Sequence, residues 1–389
     1  MILVISDDFS GAAELAGIAM DAGLEVEIQT KPQVETTADV VILDTNTRSK
    51  TRERATVTMK RVAKNIKRYE FELIYKKVDS VLRGHVGMEL SLLLDNSPGR
   101  SVLLVPANPS MGRTISNGIY LIDGHPLHQT VFASDPEFPV HTSDVVALAG
   151  AGSGSEHGTE IKRLQGRSAI PGQTGNVYLP DTQYGDDIRY WAENLDSHLI
   201  PAGAADFWRA LLRSMGFYPR KKSGPPFDTE HQDRLFVCGS SLSKVEMMLE
   251  KLSVRELEQV QLKVGQPGRN EANITEAVAK QVIAKFGSTN SVVLSAEVTG
   301  NEAVLAEKIP GMLADVTAAV LKRVALRDIV VEGGTTASEV VRALGCSRFK
   351  PTNHFARGVI RMQPAGDNSP GPSVTVKPGS YSWPAALWP

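Results

Sequence analysis

The chain holds only two cysteines, Cys238 and Cys346, far apart and outside any C-x-x-C spacing. That excludes a disulfide framework and a cysteine-based zinc site, and leaves both thiols as small apolar side chains. No apolar run approaches the roughly 18 residues that a membrane-spanning helix requires. Basic blocks are missing too. The formal net charge is -2, whereas a nucleic-acid binder would carry a basic footprint. A secretory leader is not expected, because Asp7 and Asp8 interrupt the N-terminal apolar stretch, and this predicts a cytoplasmic protein. The 8 histidines form no H-x-H or H-x-x-x-H pair, so no metal site built from protein ligands alone is indicated.

What is present is a rhythm. With 389 residues, 42% apolar and 22% charged, the chain suits a globular protein of two domains. Short β-branched runs end in polar or glycine turns and pass into helical patterns. MILVIS leads into 10–22, VVILDTNTR (40–48) into 50–67, and FELIYKKVDS (71–80) into 85–96; SVLLVPANPS (101–110) is another strand stopped by prolines. Strands alternating with helices predict an α/β protein of mostly parallel sheets flanked by helices. Ligands of such sheets collect beyond the carboxyl ends of the strands. Asp7 and Asp8, Thr47 and Arg48, Asp79 to Arg83, and Asn108 would all lie at that edge.

The small, polar stretch 149–158 reads as a loop, after which NVYLPDT (176–182) and 185–197 resume the pattern. The segment 220–234 is rich in charge, Pro and Gly without periodicity, and reads as a linker. Domains of 1–225 and 226–389 follow. Beyond the linker the rhythm restarts with LFVCGSS (235–241) and a helix to about 252, then VQLKV (260–264) and a helix over 271–286. SVVLSAE (291–297), a helix over 310–325 and DIVVEGGTTASEVVRALG (328–345) complete it.

Several junctions can carry chemistry. In the last of these segments a strand runs through Gly333 and Gly334 to Thr335, Thr336 and a helix. Glycines admit a ligand to the backbone and a helix N-terminus favours anions, so this is a phosphate cradle or, equally, a plain tight turn. No Walker A motif occurs. Cys238-Gly239-Ser240-Ser241 has the same form, with its serines suited to a nucleotide or to a helix cap. In KKVDSVLRG, Lys77, Asp79, Ser80 and Arg83 meet at a strand-to-helix junction where an arginine can grip a carboxylate. PANPSMGRTISNG adds Asn108 and Arg113 on a stretch that reads as a polar loop. FASDPEFPVHTS adds Asp135 and His141, the latter expected to be structural. Asp8 is expected to act as base or as magnesium ligand beside a phosphate, with Asp7 orienting it or capping the helix. Neighbouring residues at a strand end point in different directions, which argues against one shared role.

Taken together these stretches resemble the four-carbon acid sugar kinases, whose members are similar to tetronate kinases. The matching segments are Asp7-Asp8-Phe9-Ser10-Gly11-Ala12, Asp44 to Arg48, Lys77 to Gly84, Pro106 to Thr114, and Gly124 to Val140 with Asp135-Pro136. In the second half Gly239-Ser240-Ser241 echoes a family segment, with Leu242 where serine is usual. Gly333 to Ala337 matches with Thr335 in place of an acid, and Lys377-Pro378-Gly379-Ser380-Tyr381-Ser382 with a serine for the last glycine. The resemblance implies a front domain for the sugar acid, a rear domain for ATP, and a cleft between them. It implies Asp8, Asp7 and Arg83 as catalytic, and Ser10, Arg48, Lys77, Asp79, Ser80, Arg83, Arg113 and Asp135 as contacts to the acid. Ser240, Ser241, Gly333, Gly334, Thr335, Thr336 and Gly379 fall to the nucleotide. ATP with Mg²⁺ is the expected cofactor set, the acid the expected partner, and a homodimer is left open.

Two other classes fit parts of the pattern. A dinucleotide-dependent oxidoreductase is disfavoured because no G-x-G-x-x-G follows the first strand, where Asp7 and Asp8 would repel a pyrophosphate. A non-catalytic sensor of a sugar acid remains as the alternative.

Overall fold

The first strand, ILVIS, is buried along its whole length, as a central strand covered on both faces must be. Around it the computed structural model describes residues 1–32, 36–66, 70–135, 137–150, 159–220, 233–241, 257–265, 270–298, 307–366, 371–379 and 381–387. The chain forms two units, Met1–Lys221 and Lys222–Pro389. Most of the expected linker, the expected helix to about 252 and most of the loop at 149–158 lie outside the described residues, and the last linker residue, Arg234, is already in a strand. No helix among the described residues is long and apolar enough to cross a membrane.

The first unit contains β1 (Ile2–Ser6), β2 (Val26–Gln29), β3 (Val40–Asp44), β4 (Leu73–Lys77), β5 (Ser101–Val105), β6 (Arg113–Ser116), β7 (Ile119–Ile122), β8 (His125–Pro126), β9 (Ile161–Leu164), β10 (Val177–Pro180) and β11 (Leu199–Gly203). Its helices are α1 (Phe9–Asp21), α2 (Arg52–Ile66), α3 (Val86–Asp95), α4 (Val145–Gly150), α5 (Gly185–Glu193) and α6 (Ala205–Ser214). A parallel sheet runs in the order β2-β3-β1-β4-β11-β5-β10-β9, and β6-β7-β8 form a separate antiparallel ribbon. Leu3, Ile5, Val41 and Leu43 pack against Ala55, Met59 and Val62 of α2 and Met88 and Leu92 of α3. The alanine-rich α1 is buried from Phe9 to Ala19 apart from Ser10, and Trp208 of α6 donates its indole N–H to the Leu15 carbonyl at 3.1 Å. Small side chains are what let α1 lie so deep.

The ribbon departs from the polar loop expected around Arg113. Asn117 and Gly118 both take positive φ, 52° and 76°, as the two central residues of a hairpin turn do. The dipeptide Asn-Gly between Thr-Ile-Ser and Ile-Tyr-Leu-Ile is a hairpin signal, and it brings Ile115 and Tyr120 into the core.

The second unit contains β12 (Arg234–Ser241), β13 (Glu258–Val264), β14 (Ser291–Val298), β15 (Asp328–Glu332), β16 (Arg348–Ala356), β17 (Val359–Pro364) and β18 (Ser373–Lys377). Strands β13-β14-β12-β15-β18 are parallel neighbours, and β17 and β16 extend the sheet antiparallel. Helices α7 (Glu271–Lys285), α8 (Ile309–Leu321) and α9 (Gly334–Ala343) pack in series, α7 on α8 and α8 on α9. Both units are therefore α/β, each with a mostly parallel sheet flanked by helices.

Candidate active site

Three adjacent strands deliver the acidic cluster. Ser6 at the end of β1 stands opposite Asp44 of β3 on one side and Lys77 of β4 on the other. The residues that follow each strand consequently emerge at one height, on the carboxyl edge of the sheet. Asp8 is the cap of α1. Its backbone is extended (φ -142°, ψ 158°), and its carboxylate accepts the Gly11 N–H at 3.0 Å and the Ser10 hydroxyl. The cap expected of Asp7 falls to Asp8 because only the residue directly before the helix reaches the first-turn N–H groups.

Asp7 turns to Arg48 instead. Nε and Nη2 of Arg48 donate to the two oxygens of Asp7, both at 2.8 Å, and Nη2 also reaches Asp8 Oδ1 at 2.8 Å. The expected divergence of the two aspartates is not found. The chain bends at Asp7 and Asp8, so strand alternation no longer governs them, and one guanidinium serves both. The Thr47 and Arg48 amides donate to the Asp7 carbonyl at 2.9 and 3.1 Å, pinning this loop to β1. Nη1 of Arg48 lies 3.5 Å from Asp79 Oδ1. Burial pushes the Asp7 carboxyl upward, but Arg48, Lys76 and Lys77 outweigh it and hold it below the ordinary value. Burial opposes the charge of Arg48 in turn, and Asp7, Asp8 and Asp79 raise it well above the usual guanidinium value. Lys77 is buried and donates to the Val78 carbonyl at 2.7 Å.

Asp79 organises the turn after β4. Its Oδ2 accepts the Val81 and Arg83 amides at 3.1 and 3.2 Å, across a turn in which Leu82 takes φ 64°. Arg83 grips the same carboxylate with Nε and Nη2, each at 2.9 Å, and sends Nη1 to Asp135 at 2.9 Å. Burial would raise the Asp79 carboxyl, and the charges of Arg83 and Arg48 hold it well below the ordinary range instead. The other oxygen of Asp135 accepts the Glu137 and Phe138 amides at 3.0 and 2.8 Å. Arg113, at the start of β6, donates to the Ser80 hydroxyl, while Tyr120 donates to the Ser80 carbonyl. The Phe132 ring faces both guanidiniums, 5.4 Å from Arg83 Cζ and 5.7 Å from Arg113 Cζ. Among the described residues Arg113 alone of these three arginines has no carboxylate partner. His141 is exposed and has no hydrogen bond to the cluster.

In the second unit Gly333 stands between β15 and α9 at φ 98°, ψ 135°, a conformation that only glycine adopts without strain. It is tied down at both ends: its amide donates to the Lys377 carbonyl at 2.9 Å and its carbonyl accepts from Ala337 at 2.9 Å. Gly334, Thr335 and Thr336 open a ten-residue helix, whose first N–H groups have no intrahelical acceptor. Gly239 comes so close that a methyl group on it would meet Thr336 Oγ1 at 2.5 Å, which joins the two candidate nucleotide loops. Beneath them Lys377 Nζ pairs with Glu332 at 2.7 Å and reaches the Gly379 carbonyl at 3.3 Å. Ser240 and Ser241 lie on the end of β12, past a register shift that follows Cys238; their side chains are outside the described residues. Burial, then Glu332, pushes the Cys238 thiol far up, so it stays neutral.

The Asp7–Asp8 pair does not fit a magnesium ion held by protein. Both oxygens of Asp7 face Arg48, and those of Asp8 face Arg48, the Gly11 amide and Ser10. A cation on Asp7 would have to displace the guanidinium, and one on Asp8 Oδ2 would have to displace the Ser10 hydroxyl. Among the described residues no group of three or more His, Cys, Asp or Glu side chains is placed to hold a metal.

Residues 2–211 match the sugar-binding N-terminal domain family, and residues 235–381 match the nucleotide-binding C-terminal domain family. The chain belongs to the four-carbon acid sugar kinase family. Among curated relatives of this family, a D-threonate kinase of Salmonella typhimurium is 31% identical over 154 residues, 38% of this chain and 36% of that protein. A 3-oxo-tetronate kinase of Haemophilus influenzae is 25% identical over 385 residues, 92% of each chain. The chain is thus matched to little more than a third of the length of the Salmonella kinase. Two crystal structures share the fold of this chain. One, from Salmonella typhimurium LT2, has a TM-score of 0.76 at 18% identity, over 99% of this chain and 97% of that one. The other, a Haemophilus influenzae protein of the DUF1537 family, has a TM-score of 0.71 at 20% identity, over 99% and 98%.

Proposed function

We propose that this protein is an ATP-dependent kinase that phosphorylates the terminal hydroxyl of a four-carbon acid sugar of the threonate, erythronate or 3-oxo-tetronate type. The acid binds at the carboxyl edge of β3-β1-β4 in the first unit. The nucleotide phosphates bind at the Gly333–Thr336 turn of the second.

The observation that carries the acid-binding half is the state of Arg113. Arg48 and Arg83 are each committed to aspartates, whereas among the described residues Arg113 is held by a hydroxyl and an aromatic face alone. A guanidinium so held presents its remaining N–H groups to a carboxylate. The grip expected of Arg83 therefore moves to Arg113, with Ser80 beside it and Phe132 shielding the pair from water.

Phosphoryl transfer needs placement and charge compensation more than covalent chemistry. Asp8 accepts the proton of the substrate hydroxyl as its oxygen bonds to the γ-phosphorus and the bond to ADP breaks. Arg48 holds Asp8 in place through its Nη2 contact. Gly333, Gly334, Thr335 and Thr336 offer backbone amides to the leaving phosphates, with Gly239 and Gly379 bordering the loop. Magnesium travels with the nucleotide in such reactions, and no side chain of the Asp7–Asp8 pair is assigned to it.

The test is ADP release with threonate, erythronate and 3-oxo-tetronate, against three- and five-carbon acids and an uncharged tetritol. Acid-dependent ADP release restricted to the four-carbon acids supports the reading, and none with any of them ends it. Arg113→Ala should raise KM for the acid by about 10- to 100-fold, as loss of a charged hydrogen bond does, with kcat little changed. An unchanged KM moves the carboxylate elsewhere.

A further inference from the structure

A lysine and a glutamate sit in the interior beside the acidic edge, where neither touches the space open to a substrate. Lys76, on β4, is fully buried, and its Nζ lies 2.7 Å from Oε2 of Glu89 on α3, which is 2% exposed. The same Nζ donates to the Lys77 carbonyl at 2.8 Å. The other oxygen of Glu89 accepts the hydroxyl of Thr47, a residue with no exposed surface. That hydroxyl lies 2.8 Å from the hydroxyl of Thr45, which in turn is 2.8 Å from the Ser6 carbonyl. Thr47 and Arg48 both donate their amides to the Asp7 carbonyl. Between Thr45 and Thr47 the loop passes through Asn46 at φ 44°, a left-handed conformation that asparagine tolerates, with its amide donating to Asp44 Oδ1 at 3.0 Å.

A buried ion pair is a poor source of stability, because desolvating both charges consumes most of their attraction. Apolar side chains of similar size would serve the core at least as well. What such chains cannot do is hold the Thr47 hydroxyl. We propose that Glu89, neutralised by Lys76, is a positioning residue: through Thr47 it fixes the 45–48 loop and thereby aims Arg48 at Asp7 and Asp8. This rests on the reading of Asp8 as the base that meets the substrate hydroxyl.

Thr47→Val removes the hydroxyl while keeping the shape of the side chain. It should lower kcat by about 10-fold or more, as misplacement near a reacting group does, with both KM values within about 2-fold. Thr47→Ser should restore kcat. The double variant Lys76→Met, Glu89→Leu removes both charges together, so it should fold with a melting temperature near wild type and show the same loss of kcat. A second readout does not depend on turnover. The Arg48 Nε–H signal in ¹⁵N NMR should exchange with solvent about 10-fold faster in Thr47→Val than in wild type. If wild type phosphorylates a four-carbon acid and Thr47→Val keeps its kcat, the proposal is overturned. If wild type phosphorylates none, the function reading fails by itself, and the exchange rate still decides here: an Arg48 Nε–H protected as in wild type overturns the positioning role, and a faster one supports it.

Discussion

Arg48 donates to both oxygens of Asp7 and to one oxygen of Asp8, each at 2.8 Å, so a single guanidinium holds two carboxylates at the end of β1. Asp79 lies at 3.5 Å from the same group. Removing the cation strips Asp7 and Asp8 of their shared guanidinium, leaving Asp7 only the more distant charges of Lys76 and Lys77, while Arg83 still grips Asp79. Arg48→Met should therefore destabilise the first unit by about 3–5 kcal/mol, the usual consequence of breaking a buried pair from one side. A urea titration followed by fluorescence checks this. Adding Asp7→Asn to Arg48→Met should recover part of the loss, and strict additivity of the two changes would show that they do not interact.

Acid should unfold the protein through the same cluster. Asp7 and Asp79 have folded-state values held below those of free carboxylates by Arg48 and Arg83 against the opposing effect of burial. Lowered folded values mean that the stabilisation is fully present above the unfolded value of about 4 and fades as pH falls through the folded value. The urea midpoint should stay level from about pH 8 to 5 and drop below about pH 4. Asp79→Asn should flatten that drop. A variant as acid-sensitive as wild type would place the responsible groups elsewhere.

Arg83 and Arg113 share the Phe132 ring but differ in what else they hold. Arg83 ties Asp79 to Asp135 and so joins two loops. Among the described residues Arg113 has the Ser80 hydroxyl and the ring alone. Arg83→Ala should cost about 1.5–3 kcal/mol of stability, as loss of charged hydrogen bonds does. Arg113→Ala should cost less than about 1 kcal/mol and act on acid affinity instead. Equal losses of stability in the two variants would remove the distinction.

How far this site was legible depended on which force set each feature. The strand-to-helix rhythm follows from local apolar patterning, and it located the ends of β1, β3, β4 and β15 within a few residues. The gathering of Asp7, Arg48 and Asp79 at one edge follows from parallel topology, and the sequence supports it. Which acid caps α1 and which pairs with Arg48 did not follow. That choice depends on a bend at Asp7 and Asp8 that neighbouring strands impose. Asp79, the first partner of Arg83, stands four residues before it in the same motif, whereas its second partner, Asp135, was hidden because it approaches from a segment 52 residues away. The Arg113 ribbon was legible in principle from Asn117-Gly118, a turn signal outweighed by the prolines before it. Lys76 and Glu89 left no clear sign at all, since a charged residue in a strand or helix is more often solvated than buried.

The backbone conformation of Gly333 gives the proposed nucleotide loop a direct test. At φ 98°, ψ 135° any side chain is strained by about 1–3 kcal/mol, and the turn is fastened at both of its backbone groups. Gly333→Ala should therefore shift the first amides of α9, raising KM for ATP well before it affects the acid. Isothermal titration with ATP and, separately, with the acid checks the split. Equal weakening of both ligands would show that the variant damages the fold rather than the loop.

Asp8 offers the cleanest separation of stability from chemistry. Its side chain caps α1 through the Gly11 amide at 3.0 Å, and asparagine caps a helix about as well as aspartate. Asp8→Asn should keep the melting temperature within a few degrees, because the cap oxygen is kept and only the charged contact with Arg48 and the Ser10 hydroxyl bond are altered. The amide cannot accept the proton of a sugar hydroxyl at neutral pH, so kcat should fall by about 10²- to 10⁴-fold. Asp8→Ala loses the cap as well and should cost about 1 kcal/mol more than the asparagine variant. The comparison separates the observed cap from the proposed base: stability should track the cap and turnover the charge. Wild-type kcat in Asp8→Asn would leave the cap standing and assign the base to another group.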